Sequence, residues 1–191
     1  MTKLFVSTLP ACAAALVLAG LATAQETATI KKPDVIFVPT PQVVVDKMLE
    51  LAEVTDKDTL YDLGCGNGII VVSAAKKGAT ATGFDVDPKR ILETKENIAK
   101  NGVGKKAKVV QKDIFTQDLS GASVVTLYLL PSLNVKLIPQ LEKLKPGSRI
   151  VSHDFDMRGI KPEKVVKVQG PTREHTVYLW RAPLQKEAAS E

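Results

Sequence analysis

Tyr61-Asp62-Leu63-Gly64-Cys65-Gly66-Asn67-Gly68 carries three glycines at alternate positions. An acidic segment, Gly83-Phe84-Asp85-Val86-Asp87-Pro88, follows about twenty residues later, the separation that takes a chain from a strand-to-helix turn, through one helix, to the end of the next strand. Glycine lacks a Cβ, so it adopts positive φ and lets a ligand reach the main chain. Asp85 offers two acceptor oxygens, which suit the vicinal hydroxyls of a ribose. Together the turn and the carboxylate can hold a nucleoside-bearing cofactor by its backbone-facing and ribose-facing sides. A tight turn that binds nothing would need the glycines but not Asp62 and Asp85.

Three further segments carry polar groups at places where strands should end. Lys112-Asp113-Ile114-Phe115 is the first, Thr126-Leu127-Tyr128-Leu129-Leu130-Pro131-Ser132 the second, and Ser152-His153-Asp154-Phe155-Asp156 the third. Tyr128 and the carbonyls of Leu129 and Leu130 could take a proton from an acceptor amine. The alternative for Leu129 to Ser132 is a plain strand-to-helix turn with Ser132 as its cap. His153 and Asp154 are candidates for binding substrate, with His153 as a possible base; a histidine beside aspartates is equally a structural group. His175 lies inside a strand pattern and reads as core or sheet edge. No residues show zinc-ligand spacing, and Cys65, inside the glycine loop, is a small residue chosen for fit and not a covalent nucleophile.

The elements that must position these groups are punctuated regularly. Thr40-Pro41 reads as a helix cap with proline in the first turn, and Val44, Met48, Leu51 and Ala52 repeat on one face behind it. Thr59 to Leu63 is the first strand; a helix from about Asn67 ends at Lys76-Lys77-Gly78. Ala79 to Phe84 is strand two, a helix opens at Pro88 and closes at Asn101-Gly102, and Ala107 to Gln111 is strand three. Ala122 to Leu127, almost wholly apolar, has the character of a central parallel strand covered on both faces. Leu133, Leu137, Leu141 and Leu144 keep helical spacing, with Pro139 expected to kink or restart the helix. Arg149 to Ser152 is strand five. Lys164 to Val168 and His175 to Arg181 follow without an intervening helix, so they should pair antiparallel at the sheet edge. The pattern is that of a doubly wound α/β domain.

The ends of the chain read differently. Lys3, the apolar stretch Leu9 to Leu21 and the small residues Ala22-Thr23-Ala24 make residues 1–24 a signal peptide, directing the protein to the periplasm or outside the cell. An uncleaved membrane anchor is the alternative, because the apolar run falls only a little short of the roughly twenty residues that span a bilayer. Residues 25–36 form a polar lead-in, 37–183 the domain, and 184–191 a loose tail. With 26 basic against 21 acidic residues the formal net charge is +5. The cations are scattered at helix ends and turns, which favours a solvated surface and no nucleic-acid partner. Cleavage would leave Cys65 as the one cysteine, with no intramolecular disulfide and no stable membrane span.

Asp62 to Gly68 resembles motif I of class I S-adenosylmethionine-dependent methyltransferases, and Asp85 resembles their ribose-binding acid. The Gly-x-Gly-x-Gly spacing is a weaker match to nicotinamide enzymes. The resemblance spans most of Phe37 to Trp180 and implies a mostly parallel seven-stranded sheet of order 3-2-1-4-5-7-6 with a C-terminal hairpin. It implies cofactor binding by Asp62, Gly64, Cys65, Gly66, Asn67, Gly68, Asp85, Val86, Asp113 and Ile114, with Tyr128, Leu129, Pro131 and Ser132 at the acceptor side. Within that class, Phe37-Val38-Pro39-Thr40, Tyr128 to Ser132 and Arg149-Ile150-Val151-Ser152 resemble protein-lysine methyltransferase family 173 and its exported bacterial relatives. By that resemblance Pro39 and Thr40 close over the methionine end of the cofactor. Cys65 and Asn67 replace the family's usual serine and aspartate, and His153-Asp154 has no clear counterpart. The expected activity is methyl transfer to an amine nitrogen, a protein lysine; a small-molecule methyltransferase and a noncatalytic periplasmic binding protein are the alternatives.

Overall fold

Short runs of β-branched and apolar residues, each closed by a polar or glycine turn, build one sheet in the computed structural model, which describes Lys32 and residues 36–188. The expected signal peptide, nearly all of the expected lead-in and the last three residues of the expected tail lie outside the described residues. The strands are β1 (Thr59–Leu63), β2 (Thr80–Asp85), β3 (Ala107–Gln111), β4 (Val124–Leu127), β5 (Arg149–His153), β6 (Lys164–Gln169) and β7 (Glu174–Arg181). Their spatial order is β3-β2-β1-β4-β5-β7-β6, as the resemblance implies. The first five are parallel; β7 runs antiparallel to both β5 and β6.

The helices α1 (Gln42–Leu51), α2 (Ile69–Lys76), α3 (Pro88–Lys100) and α4 (Pro131–Leu141) cover the two faces. Successive strand side chains point to opposite faces, so neighbouring residues feed two separate cores. Val124, Val151 and Leu179 join α1 and α2 in one layer, while Val125, Ile150 and Trp180 join α4 in the other. Both layers are buried, and this explains why β4 lacks any polar alternation.

β1 pairs with β2 on one side and β4 on the other, so the chain order reverses between β1 and β4. The carboxyl ends of these strands therefore splay apart into a crevice where a ligand can sit. The loops after β1, β2, β3 and β4 all open into it.

Four local expectations change. Thr40 does not cap α1: Pro41 stands at the N-cap without a side-chain bond, and the Thr40 hydroxyl is engaged by His153 at 3.2 Å. The helix expected from Asn67 begins at Ile69, because Gly68 takes a left-handed φ of 77° as its N-cap. Helix α4 starts at Pro131, with Leu130 and not Ser132 as cap, and passes through Pro139 to Leu141. The proline stands near the C-terminal end, so one lost backbone bond is tolerated there. The tail expected from residue 184 is held as far as Glu187: the Glu187 N–H donates to the Gly159 carbonyl, the Lys161 N–H donates to the Gln185 carbonyl, and Leu184 packs on the α4-side core.

Candidate functional site

The crevice encloses about 250 Å³. Its floor is the β1–α2 turn, of which Gly64, Cys65 and Asn67 line the cavity while Gly66 and Gly68, expected at the cofactor, do not; the three glycines have φ of 77°, 55° and 77°. Only glycine accepts such angles without strain. Space also demands it at Gly66, where a Cβ would lie 2.1 Å from the Phe37 ring. Phe37 thus rests directly on the turn, and the Arg90 guanidinium lies over its ring, 4.5 Å from the ring centre.

Asp62 and Asp85 both face the cavity, and they are held differently. Asp85 accepts from the Gly66 N–H at 3.0 Å through Oδ2 and from the Asp87 N–H at 3.0 Å through Oδ1. It therefore fixes the glycine turn as well as presenting acceptors to a ribose; burial raises its pKa against those bonds. Asp62 is 2% exposed. Its Oδ1 accepts from the Thr126 hydroxyl at 2.8 Å, while Oδ2 has no protein partner among the described residues. Burial pushes its pKa up to about 7. A buried acceptor lining an open cavity calls for a donor from the ligand.

Cys65 also lines the cavity. Burial, with Asp62 and Asp85 nearby, holds its thiol well above the usual range, so it is protonated and unreactive. The Thr94 hydroxyl donates to the Gly66 carbonyl at 2.8 Å, and the Asn97 amide donates to the Asn67 carbonyl at 2.8 Å. Helix α3 thereby pins the loop from behind. Val86, Asp113 and Ile114 line the far end, where the single 3₁₀ turn Ile114–Thr116 follows β3.

The opposite wall holds Thr40, Tyr128, Leu129, Leu130, Leu133 and Phe155. Tyr128 is stacked between Phe155 and His153, with ring centres 6.0 and 3.9 Å away. Its hydroxyl bonds Arg173, and burial raises its pKa. His153 does not reach the cavity. It is fully buried behind Tyr128, with Nδ1 on the Thr40 hydroxyl and Nε2 2.8 Å from His175 Nδ1. Burial lowers its pKa to about 4, so it is neutral. Asp154 also stands outside the cavity, bonded to Arg173, His175 and the Thr176 N–H. Both are placed to set Thr40 and Tyr128, not to touch a substrate. His175 is buried on β7, in line with its strand pattern.

Pro39 is exposed and off the cavity wall, whereas Ile36, Phe37 and Val38 line it. Pro131 and Ser132 border an adjoining outer groove together with Leu130, Val135 and Arg158. Sequence reasoning missed Phe37 as a cover, Arg90 behind it, and Asn134. The Asn134 amide donates to the carbonyls of Phe155 and Asp156 at 3.2 and 2.9 Å, and so shapes the turn that brings Phe155 to the wall. A fully buried asparagine on the apolar face of α4 was the available signal.

Residues 62–164 match the model of the ANTKMT methyltransferase domain. A protein-lysine N-methyltransferase of Saccharolobus islandicus is 48% identical over 151 residues, covering 78% of this chain and 94% of that protein. The chain belongs to the ANTKMT methyltransferase family. A ribosomal-protein methyltransferase of Pasteurella multocida is 36% identical over 52% of this chain and 34% of its own length. Among solved structures, an RNA methyltransferase from Salinibacter ruber in complex with S-adenosylhomocysteine superposes with a TM-score of 0.73 and 46% identity, covering 80% of this chain and 98% of that one.

As a member of the ANTKMT methyltransferase family, the protein is an S-adenosylmethionine-dependent methyltransferase. The cavity fits that cofactor on its own terms: the unpartnered Asp62 Oδ2 suits an ammonium, Asp85 a ribose, and Gly64, Cys65 and Asn67 of the turn line the same cavity. When bound, S-adenosylmethionine supplies a methyl group activated for in-line displacement. Asp62 and Asp85 would hold its two polar ends, while Val86 and Ile114 offer apolar surfaces to the adenine and Asp113 stands at its edge. Tyr128, Leu129 and Leu133 would exclude water around the reacting atoms. Alignment alone is worth about 7–11 kcal/mol in reactions of this kind, so no enzyme nucleophile is required.

Proposed function

We propose that this enzyme methylates the ε-amine of lysine side chains in a protein. The 48% identity to a protein-lysine N-methyltransferase, over 94% of its length, is the observation that carries the reading. The acceptor wall supports it chemically. Lysine in water has a pKa of about 10.4 and must lose its proton before attack. Phe155, Tyr128, Leu130 and Leu133 would surround the alkyl stem and lower that pKa by desolvation. The Tyr128 oxygen and the backbone carbonyls beside it are acceptors for the departing proton. We further infer that the enzyme acts after export, on the strength of residues 1–24.

The test is transfer of a labelled methyl group from S-adenosylmethionine to a cell-envelope extract, followed by digestion of one half with protease and of the other with ribonuclease. Label lost to protease and located by mass spectrometry on lysine supports the reading. Label lost to ribonuclease would transfer the assignment to RNA, the class named for the Salinibacter ruber protein.

A further inference from the structure

Outside the cofactor cavity, β5 and β7 bring an adjacent pair of groups together with a third from 21 residues further along the chain. His153 closes β5, Asp154 follows it, and His175 enters from β7, whose antiparallel pairing sets Val177 against His153. His153 Nε2 lies 2.8 Å from His175 Nδ1, and each is 3.2 Å from Asp154 Oδ2. Three lone-pair atoms thus form one small triangle. His153 and His175 are 0% and 5% exposed.

Hydrogen bonding does not satisfy this triangle. Each imidazole nitrogen brings at most one proton to it, and an ionised carboxylate brings none. With one proton present, some edge sets two lone pairs against each other; with two, the His153–His175 edge sets two N–H groups against each other. A cation in the middle would use all three lone pairs at once. The size is suitable: a zinc ion with bonds of about 2.0–2.1 Å to all three atoms would stand roughly 1 Å off their plane.

The surroundings orient the three atoms inward. Asp154 adopts a left-handed φ of 60°, and its Oδ1 accepts from the Thr176 N–H at 2.9 Å, which leaves Oδ2 facing the two rings. His153 Nδ1 meets the Thr40 hydroxyl at 3.2 Å, the kind of outer partner that fixes the orientation of a metal-binding imidazole. One group opposes a cation. The Arg173 guanidinium sits on Asp154 Oδ2, but Arg173 is half-exposed on the β6–β7 turn and has room to swing outward.

We propose that His153, His175 and Asp154 form a binding site for a divalent transition-metal cation of the zinc type, with Arg173 as the competing group that the ion displaces. Two imidazoles and one carboxylate suit zinc, cobalt or nickel better than magnesium or calcium, which prefer oxygen ligands. The ion joins β5 to β7, fixes Thr40 through His153 and, by displacing Arg173, frees the Tyr128 hydroxyl of that partner. It takes no part in the displacement itself.

The experiment uses the tag-free full chain, stripped with chelator and titrated with Zn²⁺ in a calorimeter, with Co²⁺ absorption as a second reading. One ion per chain and a raised thermal midpoint are expected. Asp154→Asn and His175→Asn should lose that stoichiometric binding while still binding S-adenosylhomocysteine, which shows that they fold. Arg173→Gln, at an exposed turn, should bind zinc more tightly by roughly fivefold, the scale of the half-exposed ion pair that the metal no longer has to break. Absence of one-to-one binding in the unaltered chain, equal binding by the Asn variants, or unchanged affinity in Arg173→Gln would each overturn the proposal.

Discussion

Cofactor affinity should be bell-shaped in pH, with Asp62 responsible for the acid limb. In the ligand-free protein Asp62 has a pKa of about 7, against 3.8 for an unperturbed aspartate, because burial disfavours the anion. Its Oδ2 is the unpartnered acceptor that would meet the ammonium of S-adenosylhomocysteine. Only ionised Asp62 makes that pair, so the apparent affinity follows the ionised fraction. From pH 8 to pH 6 that fraction falls from about ten-elevenths to about one-eleventh, which weakens binding about tenfold, or about 1.4 kcal/mol. Above about pH 8 the ligand's own α-amino group loses its proton and affinity falls again.

The same titration acts on stability in a known direction. A folded-state pKa raised above the unfolded value gives stability that is complete below about pH 4 and lost as the pH rises through 7. The stabilising shift caused by S-adenosylhomocysteine should therefore be larger at pH 8 than at pH 6. Calorimetric titration between pH 5.5 and 9 is the assay. Near pH 7 the binding heat should also depend on the buffer, since Asp62 gives up its proton. Asp62→Asn should bind more weakly at pH 8 by about 1.5–3 kcal/mol and lose the acid limb. 5′-Methylthioadenosine, which lacks the amine but keeps the ribose, should not show that limb and so separates Asp62 from Asp85. An unchanged acid limb in Asp62→Asn would refute the assignment.

Asp85→Ala should weaken cofactor binding by about 1.5–3 kcal/mol through loss of the ribose acceptors, and should also loosen the turn at Gly66, visible as faster amide exchange there. Gly66→Val should cost more affinity still, because the new side chain meets both an unfavourable φ of 55° and the Phe37 ring; calorimetry would measure it, and wild-type affinity would contradict the cover seen here. Tyr128→Phe should lower turnover more than cofactor affinity, since it removes the hydroxyl but keeps the stacked ring. Cys65→Ser should leave turnover largely intact, because a buried protonated thiol does no chemistry; abolished transfer with cofactor binding retained would contradict displacement without a covalent intermediate.

The glycine turn and the strands were legible because each depends on local chemistry. β1 and β3 have the limits expected from sequence, and the terminal hairpin follows from two apolar runs without a helix between them. Thr40 was misread because its local pattern, a threonine before a proline, fits a helix cap, whereas a histidine 113 positions away claims the hydroxyl. His153 was expected at the pocket because it ends a strand on the ligand side. Side-chain alternation turns it inward instead, and the β5–β7 pairing supplies its partner. Phe37 could be quoted from a motif, but its role depends on what Gly66 leaves empty, and no window of sequence contains both.

That last relation ties two distant positions into a single choice. The ring of Phe37 occupies the volume that any side chain at position 66 would require, and the Arg90 guanidinium lies over that ring. Divergent relatives should therefore change the two sites together: a residue larger than glycine in the turn must come with a smaller or displaced group at the Phe37 position, whereas Arg90 keeps its ion pairs with Asp87 and Glu93. Substitution histories in this family should record the cover and the turn as one inherited unit, although they belong to two separate stretches of chain.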